Sequence, residues 1–322
     1  MIQKKLSNNL KKIKIFLVGD FFLDEYIYGE IKRFSPEAPV PIVNVIEKKI
    51  NLGGAGNVFN NLINLGVKVS VLGKVGNDKE GIMLLEMLKK KKTVDNLIQI
   101  QKNSKTIKKT RILNKQKQMI RIDDEYIKNY NFFNKDLKNK IKKNILNSSL
   151  VIISDYGKGF CTKKICKFII QFAKINKIQV VVDPRKNYSD YSKYINSNYI
   201  TPNLNELRML FPKIKNTDKD ILISSRRIIK RYRIKNVIAT RSEKGISFTN
   251  DTKNINMKTQ AKKIFDVSGA GDTVVAVFSV LLSLRIKSEK CLNIANKCAG
   301  IVISKKGTKP IEKKEFLKLI KM

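Results

Sequence analysis

Near the C-terminal end the chain reads Phe265-Asp266-Val267-Ser268-Gly269-Ala270-Gly271-Asp272-Thr273 and runs on into the apolar stretch from Val274 to Leu282. A glycine turn that opens a buried helix leaves backbone N–H groups without partners. With the positive end of the helix dipole they point at whatever lies in front, which makes an anion hole. Gly269, Ala270 and Gly271 form that turn and Asp272 lies inside it. A carboxylate beside phosphate-holding donors is suited to taking a proton from a hydroxyl that attacks the phosphate. The plainer alternative is a strand-to-helix turn with Asp272 as its cap. A second glycine motif, Asn51-Leu52-Gly53-Gly54-Ala55-Gly56-Asn57, precedes a helical pattern with Val58, Leu62 and Leu65 on one face. Gly53 and Gly54 let backbone and a small polar ligand approach closely, and Asn57 can both donate to and accept from sugar hydroxyls.

Together the two motifs resemble the ribokinase/PfkB family of sugar kinases. The runs Gly19-Asp20-Phe21-Phe22-Leu23-Asp24, Arg33-Phe34-Ser35-Pro36-Glu37-Ala38-Pro39-Val40-Pro41, Ser154-Asp155-Tyr156-Gly157-Lys158-Gly159, Asp183-Pro184-Arg185, Thr201-Pro202-Asn203-Leu204-Asn205-Glu206 and Thr240-Arg241-Ser242-Glu243-Lys244-Gly245 are similar to one branch of it. That branch phosphorylates the anomeric hydroxyl of D-glycero-β-D-manno-heptose 7-phosphate, a step toward ADP-heptose and the lipopolysaccharide core. Gly56 and Ser268 depart from the branch, which usually carries alanine and threonine there, and both remain small. Another sugar or sugar-phosphate kinase of the family is the nearest alternative. A basic nucleic-acid-binding or regulatory protein on a kinase-like fold is the alternative from a different class.

The resemblance implies roles residue by residue. Asp272 is the general base and the Gly269–Gly271 turn holds the transferring phosphoryl group. Asp20 and Asp24, with Gly53, Gly54 and Asn57, face the sugar, at least one of the two aspartates accepting from its hydroxyls; a turn or cap aspartate is the alternative. Asn203 and Glu206 organise Mg²⁺ and its water shell, although a helix cap with a first-turn acid explains the same N-x-x-E spacing. Thr240, Arg241, Ser242 and Gly245 form a nucleotide-side loop with Asp266 and Ser268, while Asn296 and Gly300 cradle adenine from the last long helix. Lys109, Arg111 and Arg121 lie in a hairpin where a distal phosphate needs cations. In so lysine-rich a chain each could equally be a solvated charge, and Lys158 and Lys186 stand as further candidates. ATP and Mg²⁺ are the implied cofactors, with K⁺ left open as an activator.

Composition limits the rest. The 322 residues carry 66 Lys+Arg against 27 Asp+Glu, a formal charge of +39, and no histidine. Without imidazole, general-base work falls to a carboxylate. The cations are spread along every segment with no helix-turn-helix, zinc or RNA-binding pattern, so a nucleic-acid partner is not expected. Cys161, Cys166, Cys291 and Cys298 form no C-x-x-C pair and read as reduced packing residues. The basic N-terminus lacks an apolar signal core and no apolar run reaches membrane length, so a cytoplasmic protein is expected. No second domain with its own phosphate-binding signature is expected within the chain.

The elements that must position these residues follow from pattern. Ile13 to Gly19 reads as a central strand with Asp20 at its carboxyl end, where ligand sites of open α/β sheets lie. Tyr26 to Glu47 reads as short strands broken by prolines, and 106–113 with 118–123 as a hairpin around Asn114-Lys115. Beyond Leu150 strand and helix alternate, which implies parallel strands with right-handed crossovers. The expected architecture is one ribokinase-like α/β/α domain over residues 1–322, with a mostly parallel sheet and a small β lid at about 24–50 and 104–124. The family's habit of dimerising through that lid implies a homodimer.

Overall fold

Strands buried on both faces must be apolar at every position, and the run Leu150-Val151-Ile152-Ile153 is of that kind. In the computed structural model, which describes residues 2–91, 93–115, 117–184, 189–260, 269–305 and 309–321, this run is a central strand. The chain opens with α1 (Ile2–Lys12), β1 (Lys14–Gly19), β2 (Phe21–Phe34), β3 (Pro41–Gly54), α2 (Ala55–Leu65), β4 (Lys68–Leu72), β5 (Lys74–Gly76), α3 (Lys79–Lys90), β6 (Gln99–Gln101), β7 (Lys108–Asn114) and β8 (Lys117–Asp124). Strand and helix then alternate through α4 (Lys135–Leu146), β9 (Leu150–Ser154), α5 (Lys163–Ile175), β10 (Val180–Asp183), β11 (Tyr199–Ile200), α6 (Leu204–Leu210), α7 (Asp218–Tyr232), β12 (Asn236–Thr240), β13 (Ile246–Thr249) and β14 (Asn254–Met257). Three helices follow: α8 (Ala270–Ser283), α9 (Ser288–Ile303) and α10 (Lys313–Lys321).

Eight strands form one sheet in the order β14-β13-β12-β11-β10-β9-β1-β4, parallel from β4 to β12 and antiparallel beyond. Alternate residues of the central strands enter two separate cores. Ile15, Leu17, Ile152 and Val181 pack with α2, α8 and α9 on one face, while Phe16, Val18, Ile153 and Val182 pack with α4, α5 and α7 on the other. This is the expected three-layer α/β/α body. Strand ends coincide as well: Gly19 is level with Ser154, and Ser154 with Asp183. Asp20, Asp155, Asp183 and Thr240 therefore gather at the carboxyl edge of the sheet.

A second sheet has the order β3-β2-β7-β8. Here the short strands expected between Tyr26 and Glu47 are instead two 14-residue strands, β2 and β3, paired antiparallel from Phe21↔Gly54 to Phe34↔Pro41. Pro36 and Pro39 fall in the connection and Pro41 begins β3, where a missing N–H costs least, so the prolines bound the pair instead of breaking it. The hairpin expected at 106–123 is β7 and β8, with Lys115 at φ 54° in the turn. Among the described residues no helix is long and apolar enough to cross a membrane.

Candidate active site

The turn before α8 adopts the conformation that the glycine motif requires. Gly269 is left-handed at φ 82° and caps the helix, a conformation costly for any residue with a Cβ. A Cβ added to Gly271 would meet nothing within 4 Å, so that backbone opens into free space. Gly269, Ala270, Gly271 and Asp272 line a cavity of about 700 Å³ at the carboxyl edge of the sheet. Asp272, 5% exposed, accepts a 2.6 Å hydrogen bond at Oδ1 from the hydroxyl of Tyr156. Burial, followed by the Asp272 carboxylate, raises the Tyr156 phenol well above its ordinary value, so it stays a protonated donor.

Most of the residues expected on the nucleotide side share this cavity: Asn203, Glu206, Thr240, Ser242, Gly245, Asn296 and Gly300 all line it, together with Asp183. Asn296 Nδ2 donates to the carbonyl of Lys258 at 2.7 Å, which ties α9 to the segment after β14. The N-x-x-E spacing is realised as a helix cap whose acid also reaches the cavity. The Asn203 side chain accepts from Glu206 N (3.0 Å) and Glu206 Oε2 from Asn203 N (2.8 Å), a capping box at the start of α6, and the same carboxylate faces the cavity.

Arg241 departs from expectation. Its side chain is 2% exposed, is absent from the cavity wall, and donates to Asn216 Oδ1 (2.9 Å), Asn216 O (3.2 Å), Asp218 Oδ1 (2.5 Å) and Ser247 Oγ (2.9 Å). It fastens the loop from behind. A planar guanidinium with five donors suits that task, and burying it is tolerable only because each edge is bonded.

Asp20 also turns inward. Its Oδ2 accepts from Tyr156 N (3.0 Å) and Lys158 N (2.9 Å) and its Oδ1 from Phe160 N (3.0 Å), so it pins the loop after β9 with the residue 2% exposed. Burial and the neighbouring Asp155 push its carboxyl up to about 6. Asp155 is held in turn by Lys193 and by the Tyr194 hydroxyl at 2.8 Å. The sulfurs of Cys161 and Cys166 lie within 4.8 Å of that carboxylate, where the Lys193 ammonium already supplies the cation. All four cysteines are free and buried.

Asp24 lies beside the glycine pair that ends β3. A Cβ on Gly53 would stand 2.3 Å from Asp24 Oδ2 and 2.6 Å from the Phe22 ring, so only glycine lets these groups approach. Gly54, at φ 60°, leads into α2, and Asn57 is half-buried in that helix's first turn. Each cation named in the hairpin has a carboxylate partner. Arg111 Nη1 donates to Asp24 Oδ1 at 2.6 Å, Arg121 makes two 2.6 Å bonds to Asp123, and Lys109 lies 3.0 Å from Glu125. Lys158 Nζ donates to the other Glu125 oxygen at 2.5 Å. Asp266, Ser268 and Lys186 lie outside the described residues.

Residues 17–314 match the model of the pfkB family carbohydrate kinases. The chain belongs to that family. Among curated relatives of this pfkB-family chain, the bifunctional protein HldE of Campylobacter curvus is 38% identical over 299 residues, which is 92% of this chain and 63% of that protein. The bifunctional protein HldE of Haemophilus influenzae is 36% identical over 311 residues, 96% of this chain and 64% of that protein. The chain thus spans under two-thirds of the length of these relatives. Solved structures give the same pfkB-type fold. Arabidopsis thaliana ribokinase complexed with ribose and ATP aligns with TM-score 0.79 at 20% identity, covering 96% of this chain and 99% of that one. Escherichia coli phosphofructokinase-2 in complex with potassium aligns with TM-score 0.74 at 16% identity, covering 95% and 98%.

Two site residues were not singled out from sequence. Tyr156 stands in the Asp155-to-Gly159 run straight after β9, and that position at a strand's carboxyl end was its signal. Asp183 had the same signal, as the last residue of an apolar strand.

Proposed function

We propose that this chain is an ATP-dependent sugar-phosphate kinase acting on the anomeric hydroxyl of D-glycero-β-D-manno-heptose 7-phosphate, in the supply of ADP-heptose for the lipopolysaccharide core. The observation that carries the reading is the Asp272 carboxylate, held by Tyr156 at the mouth of the glycine turn in a cavity on the sheet's carboxyl edge. The similarity to HldE proteins over more than nine-tenths of the chain supports the choice of sugar.

Asp272 takes the proton of the anomeric hydroxyl as its oxygen attacks the γ-phosphorus of ATP; the new O–P bond forms and the bond to the ADP oxygen breaks. Tyr156 keeps the carboxylate aimed at the hydroxyl, and backbone N–H groups at the start of α8 stabilise charge on the transferring phosphoryl group. Thr240, Ser242, Gly245, Asn296 and Gly300 hold the nucleotide, with Arg241 positioning their loop and Asp266 and Ser268 assigned to the same side. Asp24, Gly53, Gly54 and Asn57 receive the sugar, while Lys109, Arg111, Arg121 and Lys158 receive its distal phosphate.

The donor set suits Mg²⁺. Asp183 and Glu206 present hard carboxylate oxygens to the cavity, and both Glu206 oxygens are already bonded to Asn203, at 2.8 and 2.6 Å, so it is placed to order the ion's water shell more than to bind it directly. When bound, the ion neutralises charge on the nucleotide phosphates.

The described elements act as one kinase domain with segments 24–50 and 104–124 as its lid. Val45, Ile46, Ile120 and Ile122 on the edge strands β3 and β8 are half or more exposed, an apolar surface that a second copy of the chain would cover. Coupled ADP-release assays across heptose 7-phosphate and common sugar phosphates test the substrate. Faster turnover of fructose, tagatose or ribose substrates than of the heptose phosphate refutes it.

A further inference from the structure

Four cations and three carboxylates meet beside the glycine pair: Lys109, Arg111, Arg121 and Lys158 against Asp24, Asp123 and Glu125. Arg111 is engaged by Asp24 and Arg121 by Asp123. Glu125 is placed differently, because it holds two ammoniums that arrive from different elements, Lys109 on β7 at 3.0 Å and Lys158 after β9 at 2.5 Å. Its side chain is 18% exposed, and Oε1 is buried without an aligned hydrogen bond although Lys109 lies against it. Lys109 Nζ lies 4.8 Å over the Phe22 ring, and Phe22 packs edge-on to Tyr156 at 5.5 Å, whose hydroxyl reaches Asp272. The two-lysine clamp is therefore two aromatic rings away from Asp272.

Two ammoniums converging on one anionic group is the chemistry that binds a phosphate, and a carboxylate supplies two oxygens and one charge where a phosphate monoester supplies three oxygens and about one and a half to two charges. We propose that Glu125 is a resident competitor for the sugar's distal phosphate: it occupies the Lys109–Lys158 clamp and is displaced when a phosphorylated sugar enters. The exchange favours a phosphate over the single carboxylate charge. A neutral hydroxyl cannot make the exchange, since it would leave two ammoniums facing each other. Glu125 is thus a specificity residue that rejects unphosphorylated sugars by a penalty instead of by a missing contact.

The inference rests on the sugar-phosphate reading above, and one set of variants separates the two. Binding of inorganic phosphate is measured calorimetrically with the nucleotide site saturated by ADP, alongside KM for heptose 7-phosphate. Lys109→Met and Lys158→Met should each weaken phosphate binding about tenfold or more. Glu125→Gln should tighten it about three- to tenfold and lower KM for the sugar phosphate, with KM for ATP unchanged. Glu125→Ala should move the same way, and Glu125→Asp, which keeps the charge, should stay within about twofold of wild type. If the lysine variants weaken binding but Glu125→Gln leaves it unchanged or weaker, Glu125 merely braces the lysines and the proposal is overturned. Lysine variants that bind phosphate and sugar phosphate like wild type would overturn the phosphate clamp itself, and the role of Glu125 with it.

Discussion

Arg241→Lys separates two accounts of the 240–245 loop, one in which the side chain touches nucleotide and one in which it holds the loop from behind. The guanidinium makes four hydrogen bonds, to Asn216 twice, Asp218 and Ser247. A lysine ammonium lacks the fork geometry and can keep one or two of them. Asp218 is 64% exposed, so solvent screens that ion pair and the loss there is small. The bonds to Asn216 and Ser247 are better shielded, and losing two or three of them at about 0.5–1.5 kcal/mol each predicts a destabilisation of roughly 1–4 kcal/mol, with Asn216 O still held by Lys244 Nζ and Ser247 Oγ by Asn256. Urea unfolding at pH 7 measures it as a lower midpoint at unchanged slope. Because Arg241 N bonds Gly245 O at 2.8 Å within the same loop, KM for ATP should rise only in step with loosening of the fold. Stability within about 0.5 kcal/mol of wild type, together with a tenfold or greater rise in ATP KM, would refute the reasoning and restore a direct nucleotide contact.

Asp272→Asn should leave the fold intact and cut turnover by about two to four orders of magnitude; near-normal turnover removes Asp272 as the base. Tyr156→Phe deletes one hydrogen bond to a charged group, about 1.5–3 kcal/mol, so kcat should fall by about one to two orders of magnitude with ATP KM unchanged. An unaltered kcat would mean that Asp272 is aimed by something else. The Asp20 carboxyl is raised from 3.8 to about 6, so the native state prefers it protonated: its contribution to stability is full below pH 3.8 and is lost as pH rises through about 6. Relative to Asp20→Asn, wild type should therefore lose on the order of 3 kcal/mol between pH 4 and 7, and a pH-independent difference between the two proteins contradicts this.

What could be read in the sequence was what is decided locally. Gly269 and Gly54 carry positive φ values that few other residues tolerate, and the central strands β9 and β10 are apolar from Leu150 to Ile153 and from Val180 to Val182 because both faces are covered. Asn203 and Glu206 show the limit of such reading, since one spacing served both a helix cap and a cavity-facing carboxylate. Direction was not legible. Asp20 and Asp24 are four residues apart on a common motif, yet Asp20 turns toward N–H groups about 140 residues away while Asp24 turns to Arg111. Likewise Arg241 follows cavity-lining Thr240, and only the distant Asn216 and Asp218 decide that its side chain points away.

The long strand pair has a mechanical consequence. β2 leaves the body and β3 returns to it at the same place, Phe21 opposite Gly54, so the small sheet is a lever with its fulcrum at the glycine motif. Fourteen residues of strand reach roughly 45 Å, so a swing of about 10° carries the Phe34 end through some 8 Å but moves Asp24, three residues from the pivot, by less than about 2 Å. A grip at the far end therefore sets the position of Asp24 with four- to fivefold finer tolerance than the grip itself possesses. Residues at the far end of the pair, such as Phe34, can in this way adjust the position of Asp24 by fractions of an ångström.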